Sequence, residues 1–396
     1  MRWVYFGKPH LGGTWMVFTS LREALAPRGI ELTWLGVGAL APGDAERFAR
    51  FASCGGVVCE EPASEQARAR ALHAAVVGGD YEGVFVNVHA DAVQTNLARY
   101  LPVGIKRILI VHSITPTTYR AARAVRDHVH RTVGVAPRIR DDLIARHGFA
   151  AGTTVFIPNA VDLSKFAAAR APGRGDPVLR VLSLGRLEDA SKGVFWLPQI
   201  VEAARARLRL TIAGDGPDRA ALETRCRRFR DRIRLVGRVP HERVPGWFAE
   251  HDVFLFPSRF EGLPNALLEA MASGCVPLAS RIRGVTDSLV RDGENGCLFP
   301  IGDVRAAARH LDELALDRPR LERLSHNAAQ LEGATYSLSS MGEAYGRQIE
   351  AARAQQGTAA PPESLEAWSM PALLRPHWGS YLPQWLKNRL RRALLR

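Results

Sequence analysis

Residues 252–280, DVFLFPSRFEGLPNALLEAMASGCVPLAS, constrain the fold more than any other stretch of this chain. The apolar run 253–256 has the length and bulk of a strand covered on both faces of a parallel sheet. It stops at Pro257 and Ser258 and turns through Phe260-Glu261-Gly262-Leu263-Pro264. A helix follows, with Pro264 suited to its first turn and Leu267, Leu268 and Met271 as its apolar stripe. Gly274 ends that helix, and residues 276–279 begin a second buried strand. The loop of such a unit lies at a strand's carboxyl end, the edge where open α/β sheets bind ligands. Two carboxylates mark it, Glu261 in the loop and Glu269 inside the helix. The helix start between them offers N–H groups and partial positive charge suited to phosphate oxygens. A carboxylate beside a phosphate repels it unless it holds hydroxyls, so sugar and ribose hydroxyls are its natural partners. The alternative is a solvated acid on a helix flank.

At 396 residues the chain exceeds the size at which one core stops growing, which predicts two domains. Apolar residues make up 46% and charged residues 23%, ordinary for a globular protein, but the net charge of +13 suits anionic partners such as a nucleotide, nucleic acid or phospholipid surface. Arg-rich codon usage accounts for part of that excess. No nucleic-acid recognition motif accompanies the charge. The cysteines Cys54, Cys59, Cys226, Cys275 and Cys297 include no C-x-x-C pair, and they read as free thiols of a reducing, cytoplasmic compartment. Neither a signal-peptide apolar region nor a spanning-length apolar run is present, which predicts a soluble or peripheral protein.

Along the first half, residues 3–6, 31–35, 83–88 and 107–111 read as strands. Between them lie a helix over 14–25 and Ala- and Arg-rich helical segments near 43–52, 63–78 and 91–100. That alternation predicts a doubly wound parallel sheet. The turn after the first strand carries Gly12 and Gly13 without the G-x-G-x-x-G spacing of a dinucleotide fingerprint. The strand 107–111 ends at His112, again at a carboxyl edge. Residues 120–146 hold seven Arg and three acids in a helix-like setting, a solvated face or a contact for anionic lipid. His128 and His130 lack a third ligand at metal-binding spacing. Residues 167–177, rich in Ala, Gly and Pro, read as a linker.

The second half repeats the pattern. Strands over 179–184, 208–213 and 233–236 end in Gly185-Arg186, Gly214-Asp215-Gly216 and Gly237-Arg238, and Asp303 is placed to cap a later helix. Arg186 and Lys192 lie in one loop before a helix. Two cations among glycines at a strand's carboxyl end suit a diphosphate, Arg by bidentate bonds and Lys as a point charge.

These motifs resemble those of glycosyltransferase family four, retaining enzymes with the two-Rossmann-domain GT-B fold. The resemblance rests on GRLEDASKG (185–193), AGDGP (213–217), FPSRFEGLPNALLEAMASGCVP (256–277) and DGENGCLF (292–299), in that order at family-like spacing. IPNAVDLSKF (157–166), VHS (111–113) and the Gly12-Gly13 loop fit the first half more loosely. Ala160 departs from the family, which usually has Gly there. The resemblance covers roughly residues 1–352 and implies an α/β GT-B architecture, two Rossmann-like doubly wound parallel-sheet domains facing across a cleft. It implies an acceptor-binding domain over 1–166, the linker 167–177, and a nucleotide-sugar-binding domain over 178–336. A helix over 337–356 would cross back to the first domain, leaving the tail 357–396.

As the resemblance has it, Arg186 and Lys192 hold the donor diphosphate, with Gly185, Gly214 and Arg238 around the nucleotide. Glu261, with the backbone of Gly262, Leu263, Pro264 and Asn265, positions the donor sugar and phosphate. Glu269 binds ribose hydroxyls, His112 faces the donor sugar, and Gly12 and Gly13 lie against phosphate or acceptor. The expected reaction is transfer of a sugar from a nucleotide-diphosphate sugar, UDP favoured, to a glycan or lipid-linked acceptor, with retention of configuration. Without a D-x-D motif, no metal and no cofactor are expected. The rival readings are a GT-B sugar-nucleotide epimerase or phosphorylase and a non-catalytic nucleotide-sugar-binding protein. In the tail, Leu386, Leu390, Ala393 and Leu394 share a helical face, with Lys387, Arg389, Arg391, Arg392 and Arg396 mostly elsewhere. Together with Trp368, Trp378, Tyr381 and Trp385 they suit peripheral contact with the inner face of the cell membrane through residues 368–396. The alternative is a helix packed on the first domain.

Overall fold

The structure, a computed structural model, describes residues 1–7, 13–37, 57–59, 64–88, 91–167, 178–330, 333–375, 382 and 386. Its chain divides into two units, Met1–Ala160 with Ser337–His377, and a second that contains Val161–Tyr336. Gly12, the linker residues 168–177 and the helical expectation near 43–52 fall outside the described residues.

The first unit is built on seven parallel strands: β1 (Arg2–Phe6), β2 (Glu31–Val37), β3 (Val57–Cys59), β4 (Gly83–Asn87), β5 (Lys106–Val111), β6 (Arg131–Gly134) and β7 (Thr154–Phe156). Their order is β3-β2-β1-β4-β5-β6-β7. The chain winds outward from β1 through β3, then returns to β1's other side and winds the opposite way, so β1 and β4 border the switch point. Bulky apolar side chains on both faces of these strands demand helices on both faces. Trp3, Tyr5, Phe6, Phe18, Trp34 and Phe85 are all fully buried. The helix Leu338–Ala354 docks against the helix Gly13–Leu25, where a Cβ on Gly342 would collide with the Ala24 carbonyl, so glycine permits the approach. Tyr345 then reaches the Phe85 ring edge-on at 5.7 Å.

The basic stretch 120–146, read as helix-like, holds a strand as well: β6 lies between the helices Pro116–Val125 and Pro137–His147. Arg dominates its composition and masks the short β-forming run Thr132-Val133. Four of its seven arginines pair with its three acids, Arg126 on Asp127, Arg140 on Asp141, and both Arg138 and Arg146 on Asp142.

Beyond Ala354 the chain straps over the same unit. Arg99 Nε and Nη2 donate to Glu363 Oε1 at 3.0 and 2.6 Å, the Glu363 N–H donates to the Arg99 carbonyl, and the Trp368 ring packs on Tyr100, tilted by 38° with centres 4.6 Å apart. Residues 368–375 of the tail are thereby engaged with protein. Apart from Leu382 and Leu386, its basic amphipathic part lies outside the described residues. No described helix is long and apolar enough to cross a membrane.

The second unit carries six parallel strands: β8 (Leu179–Leu184), β9 (Leu208–Ala213), β10 (Ile233–Gly237), β11 (Val253–Phe256), β12 (Val276–Ser280) and β13 (Cys297–Phe299), in the order β10-β9-β8-β11-β12-β13. Every residue of β11 and β12 is buried. One continuous core runs from Leu179 and Val181 through Leu197, Ile212, Leu255 and Leu278 to Leu311 and Leu324. Cys226, Cys275 and Cys297 are free and buried. Here the switch point lies between β8 and β11. Both Rossmann-like units thus present the same device, a reversal of strand order at the carboxyl edge.

Candidate functional site

The loops after β8 and β11 meet at the second unit's switch point, and each is shaped by glycine. Gly185 follows β8 at φ +151°, with no atom within 4 Å of where a Cβ would stand. Gly214 follows β9 at φ +142°, and its missing Cβ would strike the Gly185 carbonyl. Both conformations are ones that L residues rarely adopt. The Leu187 N–H donates to the Asp215 carbonyl at 2.9 Å, fixing the first loop to the third. The short helix Asp189–Lys192 then closes on Gly193, at φ +61°, whose Cβ would strike Pro257 and Trp196.

That turn aims Lys192 at the loop after β11. Its Nζ donates to Glu261 Oε1 at 2.6 Å, with the carboxylate side chain 12% and the ammonium side chain 29% exposed. The Lys192 ammonium also lies 5.4 Å from the centre of the Phe256 ring. Gly262, Leu263 and Pro264 continue into the helix Asn265–Ala272, which starts beside Glu261 with Leu267 and Leu268 bonded back to the Pro264 carbonyl. Glu269 lies on that helix and is buried, and burial pushes its carboxyl up to about 7. Glu269 is on the helix bearing Glu261's loop, as the sequence required. Its environment is apolar enough to favour the protonated acid until a partner for the charge arrives.

Arg186 is also in the β8 loop, but its side chain is 54% exposed, with Nε 3.8 Å from Glu188 Oε1. Arg238 is exposed at the carboxyl end of edge strand β10. Of the residues expected in this unit, Lys192 and Glu261 are in contact, and Gly262, Leu263, Pro264, Asn265 and Glu269 lie on the loop and helix that follow Glu261. Gly185 and Gly214 form the floor, while Arg186 and Arg238 lie at the rim. Sequence reading passed over Asp189 and Arg259. Arg259 Nη2 donates to Asp189 Oδ2 at 2.8 Å and its Nε to the Asp189 carbonyl at 2.8 Å. The signal was available in one respect only, since Arg259 stands two residues before Glu261.

In the first unit, His112 follows β5 with Nε2 3.4 Å from the Tyr5 hydroxyl. Burial raises the Tyr5 phenol well above its usual range, so it stays protonated. Gly13 opens the helix after β1 and is exposed. Asn159 is buried near the end of that unit's first segment. His130 accepts the Arg107 N–H on Nδ1, and burial lowers its imidazole to about 3, so it is a neutral structural residue. Among the described residues no group of three His, Cys, Asp or Glu is placed to hold a metal ion.

Residues 179–317 match the family model described as glycosyl transferases group 1. The chain is 36% identical over 169 residues to an alpha-D-kanosaminyltransferase of Streptomyces kanamyceticus, covering 41% of this chain and 43% of that protein. It is 31% identical over 182 residues to the putative colanic acid biosynthesis glycosyltransferase WcaL of Salmonella typhimurium, covering 43% and 44%. Each match therefore spans less than half of the relative's length. Among solved structures, Anabaena Alr3699/HepE in complex with UDP and glucose aligns with a TM-score of 0.70 at 16% identity, over 88% of this chain and 99% of that one. That likeness is one of fold, and the fold is GT-B.

Proposed function

We propose that this chain, whose residues 179–317 form a group 1 glycosyltransferase domain, moves a sugar from a nucleotide-diphosphate sugar to an acceptor hydroxyl. The observation that carries the reading is the meeting of Lys192, Glu261 and a helix start at one switch point, with Lys192 Nζ and Glu261 Oε1 2.6 Å apart. A cation and a helix N-terminus suit a diphosphate, and a carboxylate already neutralised by that cation can accept sugar hydroxyls without repelling the phosphate.

In this mechanism the bond between the sugar's anomeric carbon and the diphosphate oxygen breaks as the acceptor oxygen bonds to the same face of that carbon. The acceptor's proton passes to the departing phosphate oxygen, and configuration is retained. Charge developing on the leaving group is met by Lys192, which has two N–H donors beyond the one given to Glu261, by Arg186 swinging in from the rim, and by the amides at Gly262, Leu263 and Asn265. Gly185 and Gly214 let the nucleotide approach the backbone, Arg238 borders it, and Glu269 accepts ribose hydroxyls. His112, with Gly12 and Gly13, serves the sugar and acceptor side. With these cations and amides meeting that charge, transfer needs no metal, and turnover is expected to persist in EDTA.

UDP is the favoured nucleotide, since the Anabaena structure of the same fold holds UDP and glucose. A cell-envelope glycan or lipid-linked acceptor is favoured by the relative in colanic acid biosynthesis and by the basic tail, which would hold the enzyme at the inner face of the membrane. A thermal-shift panel of UDP-, GDP- and ADP-sugars tests the donor, because a ligand at 100 times its Kd stabilises by about 2.7 kcal/mol. A shift with none of them overturns the reading. Nucleotide release that is fast without any acceptor would favour an epimerase or phosphorylase instead.

A further inference from the structure

We propose that Arg259 is a positioning residue, which holds the loop bearing Glu261 in register with the turn bearing Lys192 and so sets their contact. The proposal rests on the donor-site reading above.

The two loops leave neighbouring strands, β8 and β11, whose ladder pairs Val253 with Val181 and Phe254 with Leu182 and so stops short of either loop. Arg259 links the two loops. Its guanidinium donates to both the carbonyl and the carboxylate of Asp189, its backbone N–H donates to the Ser191 carbonyl at 2.7 Å, and its Cζ lies 3.7 Å over the Trp196 ring. The Arg259 and Asp189 side chains are 12% and 14% exposed, so water competes little for these bonds. Asp189 is anchored in turn: Oδ1 accepts the Phe195 N–H at 3.0 Å, and its own N–H donates to Asp218 Oδ2 at 2.7 Å. One residue separates Arg259 from Glu261, and two separate Asp189 from Lys192. The clamp therefore sits beside the Lys192–Glu261 contact on both loops, while its guanidinium is occupied by Asp189 and Trp196.

A planar fork that fills two acceptors and stacks on an indole has no equivalent in lysine. Displacing a reacting-site group by about 1 Å costs on the order of 10²-fold in rate. Arg259→Lys keeps the charge and loses the fork. It is expected to lower kcat by about 10- to 100-fold while the KM for donor changes less than about threefold. Asp189→Asn is expected to do the same. The double variant should fall no further than the worse single one, since the two residues act as a unit. An independent readout is the rate at which an amine-reactive reagent labels Lys192, followed by peptide mass spectrometry in the absence of any sugar nucleotide. Labelling should quicken in both variants as the Lys192–Glu261 contact loosens. Wild-type kcat with wild-type labelling in either variant overturns the proposal, as does strict additivity in the double variant. Should Arg259→Lys not fold, Asp189→Asn carries the same test. If the wild-type chain turns over no sugar nucleotide, the donor reading has failed, and the labelling rates still decide whether Arg259 sets the register.

Discussion

Lys192 and Glu261 are 69 residues apart in sequence and 2.6 Å apart at Nζ and Oε1. The pair gives the carboxylate its counter-ion before any ligand arrives. In the proposed function, a diphosphate entering here would meet a cation whose charge is shared, and a sugar would meet an acceptor already fixed in place.

Removing Lys192 therefore has two effects. In the proposed mechanism Lys192→Ala deletes one donor to the leaving group, and it is expected to lower kcat by about 10²-fold, the scale of one lost transition-state donor. It also strands Glu261, at about 2 kcal/mol in stability for a partly buried charged group left unpaired. Arg186→Ala should lower kcat comparably with little loss of stability, because that guanidinium is half exposed. Initial rates and urea midpoints separate the two. Undiminished kcat in both variants would remove the leaving-group assignment.

Glu269 carries a pH signature. Its folded carboxyl titrates at about 7, against an ordinary value of 4.5, because of burial. Between those values the unfolded chain has released the proton and the folded chain still holds it. The folded state thus binds more protons, and stability falls as pH rises through that window. Relative to Glu269→Gln, wild type should lose about 2 kcal/mol between pH 5 and pH 8 in urea unfolding, since each tenfold difference in proton affinity between the two states is worth about 1.36 kcal/mol. Parallel pH curves for the two proteins would show that the site is wetter than this structure has it.

Much of this was legible in advance because parallel strands buried on both faces write themselves as apolar runs ending at Gly, Pro or charged turns. Residues 253–256 and 276–280 are such runs, and the helix between them was bounded by Pro264 and Gly274. β6 was obscured because Arg131 and the surrounding arginines outweigh Thr132 and Val133 in any local pattern. The Lys192–Glu261 contact and the Arg259–Asp189 clamp are properties of strand order, which brings β8 beside β11 although β9 and β10 intervene in sequence. The upward shift of the Glu269 carboxyl was hidden for another reason: burial by neighbouring elements, rather than helix position, causes it.

The two floor glycines should respond differently to alanine. At Gly185 nothing occupies the Cβ position, so Gly185→Ala meets only the strain of φ +151°, on the order of 1–3 kcal/mol. At Gly214 the same strain is joined by collision with the Gly185 carbonyl, a backbone atom that cannot swing aside. Gly214→Ala should therefore be the more damaging by at least about 2 kcal/mol. Equal thermal midpoints for the two variants would mean that the loops after β8 and β9 are not in contact in solution.

The tail divides into two parts with separable tests. Residues 357–375 belong to the first unit's packing through Glu363 on Arg99 and Trp368 on Tyr100. A chain ended after residue 356 loses both, and should drop by about 2 kcal/mol, or about 4–8 °C in thermal midpoint. A chain ended after Arg375 keeps both and should melt like the full chain. What it loses is Lys387, Arg389, Arg391, Arg392 and Arg396. Near an anionic bilayer each basic residue contributes about 1 kcal/mol, so co-sedimentation with phosphatidylserine-containing vesicles should fall steeply in this shorter chain and recede with salt in the full one. Equal sedimentation of the two chains would retire membrane contact through the tail, and with it the strongest argument from this sequence for a lipid-linked acceptor.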